Sequence, residues 1–269
     1  MSPFISDVNE LGDEMGYSKL VSQLESIAAD PPEALLNNEP VRKRLLQAAT
    51  HVIPEIENPN DSAQRILYTP LELMAALIGY NSQVFKTLSN SARPLDTEHL
   101  AAVTGADPYL FERLLKFMAS LSMIKEVDVG TWQASRLTRA LAIEGIAEGV
   151  YHNHENLGAT WLAFPRFLEK TKYQAVAEPD NCAFSHSHED KSIFRWFGEN
   201  PRNAQAFNKW MGQQRFSQAL WLDVFPFEET VCSPDDKSNR VLFVDVAGGL
   251  GHQCEVGLNP QRRWENEAD

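Results

Sequence analysis

The sequence predicts a mainly α fold that contains a winged-helix unit and ends on one strand with a glycine turn. Three observations carry this. Most of the first 230 residues follow helical apolar periodicity. Residues 96–135 read as helix, turn, helix, hairpin, and "VLFVDVAGG" runs an apolar strand into glycines.

The helices come first. "MGYSKLVSQLESIAA" and "PVRKRLLQAATHVI" each carry an apolar stripe at three-to-four spacing, with "DPPEALLNNEP" between them. In "TPLELMAALIGYNSQVFKTL", Thr69 reads as an N-cap before Pro70, and a break is expected near Gly79. Asp96 caps a short helix closed by Gly105. Asp107 and Pro108 open the next, whose Leu110, Phe111, Leu114, Leu115, Met118 and Leu121 fall on one face. "MIKEVDV", Gly130 and "TWQAS" then form a hairpin.

A winged helix often serves DNA, through basic residues on its second helix and wing. Here Arg113 and Lys116 are offset by Asp107 and Glu112, and the wing carries Glu126 and Asp128. The net charge of −13 opposes a nucleic-acid or anionic-membrane partner as well. Protein contact is the expected use.

"AIEGIAEGVYHNHENLGATWLAFPRFLEK" reads as one long helix, followed by a loop and two further helices, the second capped by Asn200 before Pro201. "VCSPDDKSNR" is a polar linker. The expected divisions are residues 1–145, 146–232 and 233–269. His152 and His154, and His186 and His188, form close pairs. Alternate residues on a helix do not share a face, so loop or surface histidines are expected and no metal site. Cys182, Cys232 and Cys254 are scattered and the N-terminus lacks a basic-then-apolar leader, as in a soluble, cytoplasmic protein.

In order, "FERLLKFMASLSMIKE", "FRWFGENPRNAQAFNKWMGQQR" and "VLFVDVAGGLGH" resemble the plant- and fungal-type small-molecule O-methyltransferases, above all those of fungal secondary-metabolite pathways. The resemblance implies a homodimer built through the helical and winged-helix region, and a Rossmann-like domain that binds S-adenosylmethionine. It places Asp245, Ala247, Gly248, Gly249 and Gly251 at the first cofactor motif, with Ala247 where the family has a glycine. Glycines there let the backbone approach a ligand and take positive φ. It also implies that Phe207, Asn208 and Met211 line the acceptor site; packing alone would equally account for Phe207 and Met211.

Only the first strand and glycine loop of that Rossmann-like domain are expected within the 269 residues. The family's general base and ribose-binding acid have no matching position, so no catalytic residue is assigned. The cofactor is expected to bind weakly or not at all. Two other functions are open: a methyltransferase-like cyclase or pericyclase acting without methyl transfer, and a non-catalytic dimerisation partner of a full-length relative.

Overall fold

The computed structural model describes residues 14–176, 178, 180–214, 225–226, 243–246, 248–249 and 251. The chain divides into two compact units, Met1–Tyr68 and Thr69–Asp269, at a boundary the sequence does not mark.

The first unit holds α1 (Glu14–Ala29), α2 (Glu33–Leu36), α3 (Glu39–Ile56) and α4 (Pro59–Tyr68). The short α2 falls inside the stretch read as a separator. Asn38 caps α3 by accepting from the Val41 amide at 3.3 Å. No residue of α2, α3 or α4 is buried, and Ile56, Ile66 and Leu67 are each at least 70% exposed. So much apolar surface is costly to leave in water.

The second unit opens with α5 (Pro70–Asn81) and α6 (Val84–Ser89). The break falls at Ser82 and Gln83, where Gln83 takes φ 57°, and not at Gly79. Gly79 stays helical, and the Phe85 ring packs where a side chain on it would stand. Thr69 has helical backbone angles and caps nothing through its side chain.

Next come β1 (Leu95–Asp96), α7 (Thr97–Thr104), α8 (Pro108–Ser120), β2 (Lys125–Asp128) and β3 (Thr131–Gln133). Asp96 accepts from the His99 amide at 2.7 Å and Asp107 from the Leu110 amide at 2.8 Å, so both expected caps form. Gly105 (φ 70°) and Gly130 (φ 65°) take the left-handed turns that end α7 and join β2 to β3. The sheet order is β1-β3-β2, all antiparallel; β1 is an addition to the expected hairpin.

The core gathers where α8, α5, α6 and α7 meet this sheet. Phe111, Leu115 and Met118 of α8 pack with Val84, Phe85, Leu88, Leu100 and Trp132. Leu110 is the exception on the expected apolar face, 51% exposed. The Trp132 indole is fully buried and donates to Thr97 Oγ1 at 2.9 Å, which in turn donates to the Gly130 carbonyl at 3.2 Å. That chain of bonds ties the hairpin to the start of α7 and leaves the indole N–H satisfied.

α9 (Arg136–Ala142) and α10 (Glu144–Tyr151) follow, then a π-helical turn (His152–Asn156), α11 (Gly158–Lys170), α12 (Ala183–Ser187), α13 (Ile193–Glu199) and α14 (Pro201–Gln213). The expected single long helix is therefore two, separated at the π turn and Leu157. The expected loop contains α12. Asn200 does not cap α14; its amide donates back to the Trp196 carbonyl at 2.9 Å. Residues 243–246 belong to no strand, because a strand exists only through its ladder and the described ladders lie in the β1-β3-β2 sheet. The linker boundary near residue 232 lies outside the described residues.

Candidate functional site

The densest polar cluster of the second unit lies where α14 packs along α10 and the π turn. Two glycines allow the close approach. A Cβ on Gly145 would stand 2.4 Å from Gln213 Cβ, and one on Gly149 would stand 2.5 Å from Trp210 Cε3. With the helices this close, side chains one turn further along meet in pairs.

One group is charged. Arg202 Nη1 donates to Glu148 Oε2 at 2.7 Å and Nη2 to Tyr80 Oη at 2.8 Å, while the guanidinium lies 4.1 Å from the Tyr151 ring centre. Glu148 is buried, and Arg202 supplies the charge that permits this. Burial, and then the negative charge of Glu148, push the Tyr80 phenol above its ordinary value. Lys209 of α14 adds a more exposed ion pair to Glu144.

The second group is buried and neutral. Asn156 is fully buried; its Nδ2 lies 2.7 Å from His152 Nδ1 and donates to the Asn203 carbonyl at 3.1 Å. Asn203 Nδ2 donates to Asn156 Oδ1 at 2.6 Å. His152 is 4% exposed, its ring 5.3 Å from that of Phe207, and Phe207 lies 5.1 Å from Phe197. Burial lowers the His152 pKa from its ordinary value. The π turn creates this juxtaposition: its extra residue per turn moves Asn156 onto the face that meets α14.

Of the residues assigned to the acceptor site, Phe207 joins this group. Met211 is half-buried and accepts from Gln214 Nε2 at 3.1 Å. Asn208 is exposed and its side chain makes no hydrogen bond among the described residues, so it does not join Phe207 there. Glu148, Arg202, Tyr80, Asn156 and Asn203 carry the site's polar chemistry and were not singled out from the sequence. Asn203 stands four residues before Phe207, a spacing that puts both on one helical face.

The histidines divide differently from expectation. His152 and His188 are buried and not on the surface, although His188 lies in the turn that follows α12. His188 stacks on Phe184 with ring centres 3.9 Å apart and meets Trp196 edge-on, and its Nδ1 contacts Ser187 Oγ and the Phe184 carbonyl. Aromatic stacking and local acceptors offset its desolvation. Among the described residues no group of three or more His, Cys, Asp or Glu could hold a metal ion.

The glycine turn is local. Gly249 (φ 60°) and Gly251 (φ 80°) take conformations that other residues avoid. The Gly251 amide donates to the Gly248 carbonyl at 2.9 Å, and the Gly248 amide to the Asp245 carbonyl at 3.3 Å. Gly248 has no room for a side chain, because the Asp245 carboxylate fills that space. Asp245 Oδ2 is buried with no hydrogen-bond partner among the described residues. Ala247 lies outside the described residues. A turn with an unused acceptor and positive-φ glycines fits a ligand that brings its own donor to this backbone.

No family model matches the chain. O-methyltransferase ucdC of Aspergillus ustus is 36% identical over 215 residues, covering 80% of this chain and 56% of its own length. O-methyltransferase lepI of Aspergillus flavus is 32% identical over 200 residues, covering 74% of this chain and 51% of its own. The chain thus spans about half the length of the curated relatives it matches. Among solved structures, the LepI complex with SAM matches with TM-score 0.76 and 27% identity, over 93% of this chain and 62% of that one. A structure described as a pericyclic reaction enzyme matches with the same score and identity, over 94% and 63%. The chain is similar in sequence to fungal O-methyltransferases and in fold to SAM-bound LepI. No helix among the described residues is long and apolar enough to cross a membrane.

Proposed function

We propose that this chain belongs to an S-adenosylmethionine-dependent O-methyltransferase of fungal secondary metabolism, acting on a hydroxyl of a small aromatic or polyketide-type molecule. The similarity to ucdC over four-fifths of the chain carries this reading, and the glycine turn supports it. Asp245, Gly248, Gly249 and Gly251 would hold the cofactor, whose sulfonium supplies the methyl group. Asp245 Oδ2 is an acceptor for its ammonium end, and the glycines let the backbone approach. Phe207, Phe197 and Met211 offer the acceptor an apolar wall on α13 and α14.

The β1–β3 region serves as a winged helix for protein contact. Ile56, Ile66 and Leu67 of the first unit form the surface of a homodimer. Lys116 is engaged by Glu112 at 2.6 Å, which leaves little positive charge on α8 for nucleic acid. Methylation of a panel of phenols with labelled cofactor, and light scattering at micromolar protein, test the two parts. A monomer would remove the dimer from the reading.

The alternative is a pericyclase that acts without methyl transfer. The solved pericyclic reaction enzyme shares the fold with a TM-score of 0.76, and the His152 group offers polar contacts that need no methyl donor. Turnover of a polyene or dienone substrate without cofactor consumption would favour it.

A further inference from the structure

The hydrogen bonds around Asn156 fix the chemistry of His152. A backbone carbonyl can only accept, so the Asn156 atom bonded to the Asn203 carbonyl at 3.1 Å is the amide nitrogen. The other end of that amide accepts from Asn203 Nδ2 at 2.6 Å, which agrees. The same Asn156 nitrogen lies 2.7 Å from His152 Nδ1, so Nδ1 must be the acceptor. An imidazole whose Nδ1 accepts is neutral and carries its proton on Nε2. Among the described residues His152 Nε2 has no hydrogen-bond partner, and it is not sealed from contact, since the fully enclosed unpartnered polar atoms are on Arg42, Ser89 and Asp245 alone. The ring that carries it is 4% exposed and packs beside Phe207.

We infer that Asn156 and Asn203 lock His152 as an Nε2–H donor that binds a carbonyl or phenolate oxygen of an aromatic ligand lying against Phe207. This deepens the proposed function and rests on it for the ligand class. The lock itself does not depend on it. It also assigns a role that His152 does not have: Nε2 already holds a proton, so it cannot remove one from a hydroxyl. His152 orients and polarises an oxygen; it is not the general base. A buried donor without a protein acceptor discriminates strongly, because a ligand lacking the oxygen leaves it unpaired.

The test is nitrogen-15 NMR of the histidine rings in the 269-residue protein without cofactor at neutral pH. Expected for His152 is a neutral ring with the proton on Nε2. In Asn156→Asp the new carboxylate should draw the proton to Nδ1, which also identifies the signal. An Nδ1–H ring or an imidazolium in the unsubstituted protein would overturn the lock. Acetophenone and ethylbenzene, alike in shape, then probe the donor. Acetophenone should shift the Nε2–H resonance and bind at least about tenfold more tightly than ethylbenzene, in keeping with about 1–3 kcal/mol for a buried group left unpaired. Equal affinities, or no shift at saturating acetophenone, would overturn the oxygen-binding role. Because no methyl donor takes part, failure of the methyltransferase reading would leave both NMR results standing, and failure here would leave that reading intact.

Discussion

Trp210 occupies the space that a side chain on Gly149 would need: a Cβ there would stand 2.5 Å from indole Cε3 and 2.8 Å from Cδ2. The contact sets how closely α14 approaches α10, and so whether Arg202 reaches Glu148 and Asn203 reaches Asn156. An indole cannot swing aside as a lysine stem would.

Gly149→Val should therefore lower stability by about 1–3 kcal/mol, the usual cost of overfilling a packed contact. Urea unfolding followed by tryptophan fluorescence reads this. Gly198→Val on α13 is the control for helix propensity, since a Cβ there meets nothing within 4 Å. Equal losses at the two positions would show that the Trp210 contact is unimportant.

Removing the cation from a buried pair should cost more than its surface counterparts. Arg202→Met keeps the aliphatic stem but leaves Glu148, with a side chain 10% exposed, without its counter-charge. The expected loss is about 1–3 kcal/mol, below the full range for buried pairs because the Arg202 side chain is itself 41% exposed. Lys43→Met, which breaks a pair 69% and 60% exposed, should cost distinctly less. Thermal unfolding of the two variants side by side checks the order, and a reversal would refute the role assigned to Glu148.

Much of the hairpin unit was legible because its signals are local. Asp96, Asp107, Gly105 and Gly130 act within a few residues of themselves, and each does what its type and spacing imply. The site was legible only at Phe207, because its partners arrive from elsewhere. His152 and Asn203 are 51 positions apart, and Tyr80 and Arg202 are bonded across 122 residues of sequence. The π turn was missed for the same reason. "HNHEN" has no local preference for it, and its compensation comes from Asn203 on another helix. Leu110 erred the other way: periodicity assigned it to the apolar face, but the face that packs is narrower than the stripe.

Stability should depend on pH through His152. Burial lowers its folded-state pKa below the unfolded value of about 6.5. The unfolded chain then binds the proton more readily. The contribution is fully present above about pH 6.5 and is lost as pH falls from there toward the folded pKa, by at most about 1.4 kcal/mol per unit. Glu148 and Arg202, the nearby ionised pair on α10 and α14, satisfy each other, and burial is the cause of the shift. His152→Gln should flatten the stability profile just below about pH 6.5 relative to the unsubstituted protein. An unchanged slope would mean that other groups titrate in that window.

The last prediction concerns the glycine turn. The chain covers 56% of ucdC and 51% of lepI. Asp245 and the glycines form one wall, able to hold an ammonium end and approach the backbone. Binding must still offset the lost translational and rotational freedom of the ligand, about 4–15 kcal/mol. One wall rarely supplies that. Calorimetry on the 269-residue protein should give S-adenosylmethionine an affinity weaker than about 100 μM, against about 8 kcal/mol for micromolar binding. Whatever binding remains should vanish in Gly249→Arg, whose side chain would be forced onto a φ of 60°. Low-micromolar affinity would show that a second chain, or residues outside those described, completes the site.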